Sequence, residues 1–344
     1  MPETGAGLAR GFHDEVVAPL LRRELPGVPL VAGRFGAGSD VLGFDDEVSR
    51  DHDWGLRLTV LVPQDAVGPV GDLLDRELPP AWAGHPVRFP TTWDPAQRHR
   101  VEVDTPDGFV RARLGVGAAQ EPTTADWFSF TGQAVLELLA GPVFCDDEGR
   151  WAALRDRFAW YPDDVWCHLV ASAWQQLEQE LPFVGRTGAR GDDLGSRLLT
   201  ARLAGVAVQL GLLLDRVWAP YAKWVGTVFA GSPSGRVAPH LDRALAAGDW
   251  RGREAGLCAA LDGLLQRQAQ VGLPAPGPAT APFHDRPFRG VVETLPAALA
   301  PAGGGWGPLG VGAVGHWVDA VDVLVRPGLR RELARVVLGA EVGP

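Results

Sequence analysis

The chain has 344 residues, more than one small core accommodates, which predicts two domains. Its 32 basic and 42 acidic residues leave a formal net charge of −10, which argues against nucleic acid as a partner, since such proteins normally present a basic face. A small-molecule or protein acceptor fits the charge better, and a cationic one would be drawn in. Cys145, Cys167 and Cys258 are too widely spaced for a disulfide framework or paired metal knuckles, so reduced thiols are expected. Met1 to Glu15 lacks the layout of a signal peptide, and no uncharged apolar run reaches the roughly 18 residues of a membrane span. A cytoplasmic protein without membrane contact is the expectation.

An amphipathic helix is predicted from about Leu8 to Leu25, with Val16, Val17, Leu20 and Leu21 on its apolar side and Pro26-Gly27 ending it. Val28 to Ala32 reads as a short strand and Gly33 to Ser39 as a glycine-rich turn. From His52 to Val62 the pattern alternates, with Trp54, Leu56, Leu58, Val60 and Val62 on one face. That alternation predicts one strand with Asp51, Asp53, Gly55 and Arg57 on the other face. A helix from Asp65 to Glu77 follows, then a proline-rich loop and a strand from Arg98 to Asp104, where Val101 and Val103 alternate with Glu102 and Asp104. Beyond residue 115 the periodicity is helical: near 127–140, 150–159, 163–181, 192–218, 222–230, 237–247 and 250–271. Leu194 to Val217 is apolar on most sides and predicts a buried central helix. The fold class expected is α+β, a mixed-sheet domain over residues 1–120 and an all-helical bundle over 121–344.

The chemistry concentrates in Gly38-Ser39, followed after eleven residues by Asp51-His52-Asp53. Nucleotidyl transfer builds negative charge on oxygens around phosphorus, which divalent ions stabilise. Two aspartates at i and i+2 on a strand can share such ions, and magnesium prefers hard oxygen ligands. Glu102, on the polar face of the next strand, is the candidate third carboxylate and general base, with Asp104 as the fallback. Gly38 permits close backbone approach to a triphosphate, and Ser39 can donate its hydroxyl. Arg50 either meets phosphate or pairs with Asp46 or Glu47. Lys223 is the one lysine among the 32 basic residues; it is either a chance surface survivor or a point charge for a phosphate oxygen. His52-Asp53 also matches the dyad of HD-type phosphohydrolases, but no further histidines at helical spacing surround it. Asp192 or Asp193 suits a helix N-cap.

Gly38-Ser39-x11-Asp51-His52-Asp53 resembles the signature of the DNA polymerase beta-like nucleotidyltransferase superfamily, with His52 departing from the usual hydrophobic middle position. The wider wording resembles the DUF4037 group: Ser49 to Gly55, Trp160-Tyr161-Pro162 and Ala219-Pro220-Tyr221-Ala222-Lys223-Trp224. The resemblance implies a nucleotidyltransferase domain followed by a helical domain. It further implies Asp51, Asp53 and Glu102 as magnesium ligands, Gly38 and Ser39 as the phosphate turn and Lys223 as a cation for ATP, while Arg50 as an ATP contact rests on its own two alternatives. The resemblance does not deliver a substrate. The reaction expected is magnesium-dependent transfer of a nucleoside monophosphate, AMP from ATP, to a small-molecule hydroxyl with release of pyrophosphate and with the acceptor set by the cleft between domains. The alternatives are a nucleotide-binding or scaffold protein without turnover and an enzyme that adenylylates a protein.

Overall fold

The computed structural model describes residues 4–50, 53–92, 94–304 and 308–339. The chain is α+β and divides into two compact units. The first comprises Met1–Glu121 with Ala134–Ala159, and the second Pro122–Gln133 with Trp160–Pro344.

In the first unit Thr4 starts α1 (Gly5–Phe12), its hydroxyl accepting from Gly7 N at 3.0 Å, as an N-cap does. The run continues through a π-helical turn, His13–Val17, into α2 (Ala18–Glu24). The helix expected over Leu8–Leu25 is therefore present with one bulge, and Gly27, at a φ of 88°, follows its end. Next come β1 (Val31–Gly33), β2 (Arg57–Leu61), α3 (Gln64–Glu77), the short hairpin β3 (Ala81–Trp82) and β4 (His85–Pro86), then β5 (Arg88–Thr91) and β6 (Asp94–Asp104). Thr105 caps α4 (Pro106–Leu114), accepting from Gly108 N at 2.8 Å. The chain then contributes α5 (Thr124–Ser129) to the second unit and returns along α6 (Gly132–Leu139) to β7 (Val143–Asp146) and α7 (Arg150–Arg157).

Five of these strands form one mixed sheet in the order β5-β6-β2-β1-β7. β2 runs parallel to β6, with Thr59 opposite Glu102, and the other neighbours are antiparallel. Ala32, Leu58, Val60 and Val101 bury one face against Leu8, Phe12, Leu73 and Leu74, each a burial that contributes about 1.5–3 kcal/mol for the larger side chains. Phe35, Phe109 and Trp151 form a three-ring cluster, with Phe35 stacked on Trp151 at 5.1 Å. The pairing of β7 with β1 is what draws Ala134–Ala159, read from sequence as part of the helical half, into the first unit.

The strand expected over 52–62 is shorter than its alternation implied. β2 begins at Arg57, and Asp53 lies in the turn before it, while Asp51 and His52 fall outside the described residues. Gly55 marks the break: its φ is 157°, and a Cβ there would stand 2.9 Å from the Phe89 ring. Thr59 and Leu61 are as buried as Leu58 and Val60, so the alternate face of β2 is not a solvated one.

The second unit holds α8 (Asp163–Ala189), α9 (Asp193–Leu214), α10 (Ala222–Gly231), α11 (Ala238–Ala246) and α12 (Trp250–Gln270). A hairpin of β8 (Thr280–Pro282) and β9 (Arg289–Val291) follows, then α13 (Thr294–Leu299), α14 (Val321–Leu324) and α15 (Pro327–Val337). Asp192 caps α9, accepting from Gly195 N at 2.7 Å. The buried central helix is α8, whose residues 165–174 are all buried against α9 and α12. α9, expected in that role, leaves Leu194 and Leu198 at 70% and 64% exposed. It is the one helix among the described residues long and apolar enough to cross a membrane, and half of that stretch is buried within the fold. Trp160 and Tyr161 pack on Trp218 at 4.9 and 4.3 Å, the aromatic helix break expected of Trp160-Tyr161-Pro162.

Candidate active site

The glycine turn after β1 is built around a guanidinium. Arg34 Nε and Nη2 donate to Asp40 Oδ2 and Oδ1 at 2.6 and 2.9 Å, and Nη1 and Nη2 donate to the carbonyls of Phe35 and Ala37 at 2.6 and 2.9 Å. Both side chains are buried, so the pair must be fully hydrogen-bonded to be tolerated. Gly36 takes a φ of 84° and donates its N–H to the Glu137 carbonyl at 2.8 Å. Gly38 takes a φ of 142°, and a Cβ there would overlap Asp40 Oδ1 and Arg34 Nη2. The ion pair thus explains Gly38 before any ligand is considered. Ser39 is half-buried, and its carbonyl accepts from Leu42 N and Phe44 N at 3.1 and 2.8 Å.

Glu102 stands beside this turn. A Cβ on Gly36 would lie 3.9 Å from its Oε2. Arg113 Nη2 donates to both Glu102 oxygens at 3.2 and 3.1 Å, its Nε lies 3.2 Å from Glu137 Oε2, and its guanidinium covers the Phe109 ring at 3.4 Å. Asp104, the alternative third carboxylate, accepts from Thr105 N at 2.7 Å and packs against Gly108, at the start of α4. Helix initiation therefore occupies Asp104 and leaves Glu102 at the turn.

Asp53 is held from the other side. Thr92 donates to it twice, from its backbone N at 2.6 Å and its hydroxyl at 2.7 Å. Between these acids sits half-buried Arg57. Burial first, then the neighbouring Arg34, push its pKa down to about 10, while Asp40, Glu102 and Asp53 oppose the shift. It is still a cation at neutral pH. Arg34, Arg57, Arg98, His99, Arg100, Thr59, Asp94 and Glu102 line a polar cleft of about 280 Å³. Arg100 is tied to Asp94 at 2.7 Å, and that bond depresses the Asp94 carboxyl. Burial depresses His99, against the pull of Asp75.

Asp53, Glu102, Gly38 and Ser39 thus belong to one unit. Arg57, Arg113 and Thr92 gather with the acids but lacked any motif of their own; only the odd-numbered position of Arg57 beside Asp53 signalled it. Arg50 places its guanidinium 4.9 Å from the centre of the Trp54 ring, a contact its sequence alternatives did not include. Lys223 lies in the second unit at the start of α10, its ammonium 5.0 Å from the Trp224 ring, whose Nε1 donates to the Tyr221 hydroxyl at 3.0 Å. Asp51 falls outside the described residues. Among those described, no three His, Cys, Asp or Glu side chains gather to hold a metal. The donors on hand, Asp53 and Glu102, are all-oxygen, the chemistry of a hard divalent cation.

No curated protein sequence matches the chain. The crystal structure of a nucleotidyltransferase-like protein from Exiguobacterium sibiricum 255-15 is similar at 14% identity, over 77% of this chain and 76% of that one, with a TM-score of 0.35. Residues 127–225, which contain Trp160-Tyr161-Pro162 and Tyr221-Ala222-Lys223-Trp224, match the model of the family described as a domain of unknown function, DUF4037.

Proposed function

We propose that the chain is a nucleotidyltransferase that moves AMP from ATP to a hydroxyl of a small molecule and releases pyrophosphate. The observation that carries this reading is the cleft in which Arg34, Arg57 and Arg100 stand with Glu102 and Asp94, with Glu102 beside Gly36 of the turn. Acids and a retained cation around a glycine turn suit a substrate whose phosphates are bound and whose acceptor must lose a proton.

Asp51, Asp53 and Glu102 would hold magnesium, which when bound would stabilise charge on the oxygens around phosphorus. The chain's own residues account for the rest. Arg57 offers charge to phosphate oxygens in the cleft. Thr92 fixes the rotamer of Asp53. Glu102, oriented by Arg113, would take the proton of the acceptor hydroxyl. Gly38 and Ser39 supply backbone and hydroxyl to the phosphates, with Arg34 and Asp40 holding that turn in shape.

A nucleotide-binding protein without turnover is the second reading, favoured by the partners Asp53 and Glu102 already have in Thr92 and Arg113. Purified protein, assayed for magnesium-dependent pyrophosphate release from each nucleoside triphosphate across hydroxylated acceptors, separates the two. Release with one acceptor class supports transfer; tight ATP binding with none released supports binding alone.

A further inference from the structure

Next to Asp53 lies a second pocket of different chemistry. Trp54, Gly55, His85, Pro86, Phe89, Pro90, Thr91 and Thr92 enclose about 290 Å³. Among the described residues, three rings and two prolines make its walls, and no carboxylate, lysine or arginine is among them. Trp54 and His85 meet edge to face at 5.6 Å, and Arg50 covers Trp54 at 4.9 Å. Among the described residues Trp54 Nε1 is buried without a hydrogen-bond partner. A buried donor left unpaired costs about 1–3 kcal/mol, so an acceptor atom supplied by a ligand would relieve it.

The pocket is not isolated. Thr91 lines both it and the arginine cleft, and Thr92 lines it while holding Asp53. An occupant that fills both spaces must be flat and apolar-faced with hydrogen-bond acceptors at one end, and anionic at the other. A polycationic sugar acceptor meets neither demand, since it would need carboxylates where this pocket has rings.

We propose that the Trp54–His85–Phe89 pocket seats the purine base of the nucleoside triphosphate, whose phosphates then run past Asp53 into the cleft of Arg57. This assignment rests on the nucleotidyl-transfer reading and adds the base-binding residues to it. Base stacking on an aromatic side chain is worth roughly 5- to 150-fold in affinity, enough to dominate the choice between a nucleotide and a bare polyphosphate. Gly55 lets the backbone lie close against Phe89, since any larger residue would press on that ring.

The test is calorimetric titration of the full chain, with magnesium, by ATP and by inorganic tripolyphosphate. Wild-type protein is expected to bind ATP at least about tenfold more tightly than tripolyphosphate. Trp54→Leu and His85→Ala should weaken ATP by about tenfold while moving tripolyphosphate less than about twofold. Circular-dichroism melting checks each fold; should Trp54→Leu not fold, His85→Ala and the wild-type preference decide. Equal wild-type affinities, or folded variants that bind ATP as before, overturn the base seat. If ATP then still binds and releases pyrophosphate, the transfer reading stands alone. If neither compound binds, both fall.

Discussion

Arg34 and Asp40, six residues apart, form a buried two-point ion pair at the centre of the turn that carries Gly38 and Ser39. Asp40→Ala should leave Arg34 charged and buried, and should cost about 3–5 kcal/mol in urea denaturation. A loss under about 1 kcal/mol would mean that the turn does not depend on the pair.

The same pair makes a prediction about glycine. Gly38→Ala must strain a φ of 142° and also overlap the Arg34–Asp40 bridge, whereas Gly43→Ala strains a φ of 78° with no atom within 4 Å of the added methyl. Gly38→Ala is expected to cost more than about 3 kcal/mol, and Gly43→Ala only about 1 kcal/mol. Thermal melts of the two variants side by side give the comparison, and equal losses would count against it.

Thr92 orients Asp53 through two donors, of which substitution can remove one. Thr92→Val keeps the backbone N–H and deletes the hydroxyl, and should lower kcat for pyrophosphate release by about tenfold, the worth of a hydrogen bond to a charged group. Thr92→Ser should restore most of it. Wild-type rates in Thr92→Val would show that Asp53 needs no such support.

His168 is buried beside Phe128, and burial holds its imidazole below the usual pKa although Val311 and Gly303 oppose the shift. Between that depressed value and about 6.5 the unfolded chain binds a proton that the folded one does not. Stability from this group is therefore complete above pH 6.5 or so and falls as the pH is lowered, by at most about 1.4 kcal/mol per pH unit. His168→Gln should flatten the slope of stability against pH below about 6.5, whatever its effect at pH 8. An unchanged slope would assign the acid limb to other groups.

Much of this arrangement could be read from periodicity, and the parts that could not share a cause. α3 and most helices of the second unit follow directly from apolar spacing and their Gly or Pro stops. β7 escaped because Val143 to Asp146 is four residues long and gains its place only by pairing with β1. The alternation around Asp53 predicts a strand, but Gly55 turns the backbone before Arg57. Asp104 and Glu102 share a strand face, and only the start of α4 separates their roles. Arg113 and Thr92 are far from Asp53 and Glu102 in sequence, so no local pattern could name them. The Gly38 spacing was legible, yet its structural reason, the Arg34–Asp40 pair, is a contact between side chains.

The central claim is that Asp53 belongs to a nucleotidyl-transfer site. Pyrophosphate release from ATP, measured with magnesium and an accepted hydroxyl compound, compares wild type with Asp53→Asn, a change that keeps the shape and one acceptor oxygen for the Thr92 N–H, while its NH2 can donate to the Thr92 hydroxyl. Asp53→Asn is expected to lose at least about a hundredfold in rate with an unchanged melting temperature. Turnover equal to wild type in a folded Asp53→Asn protein would contradict it.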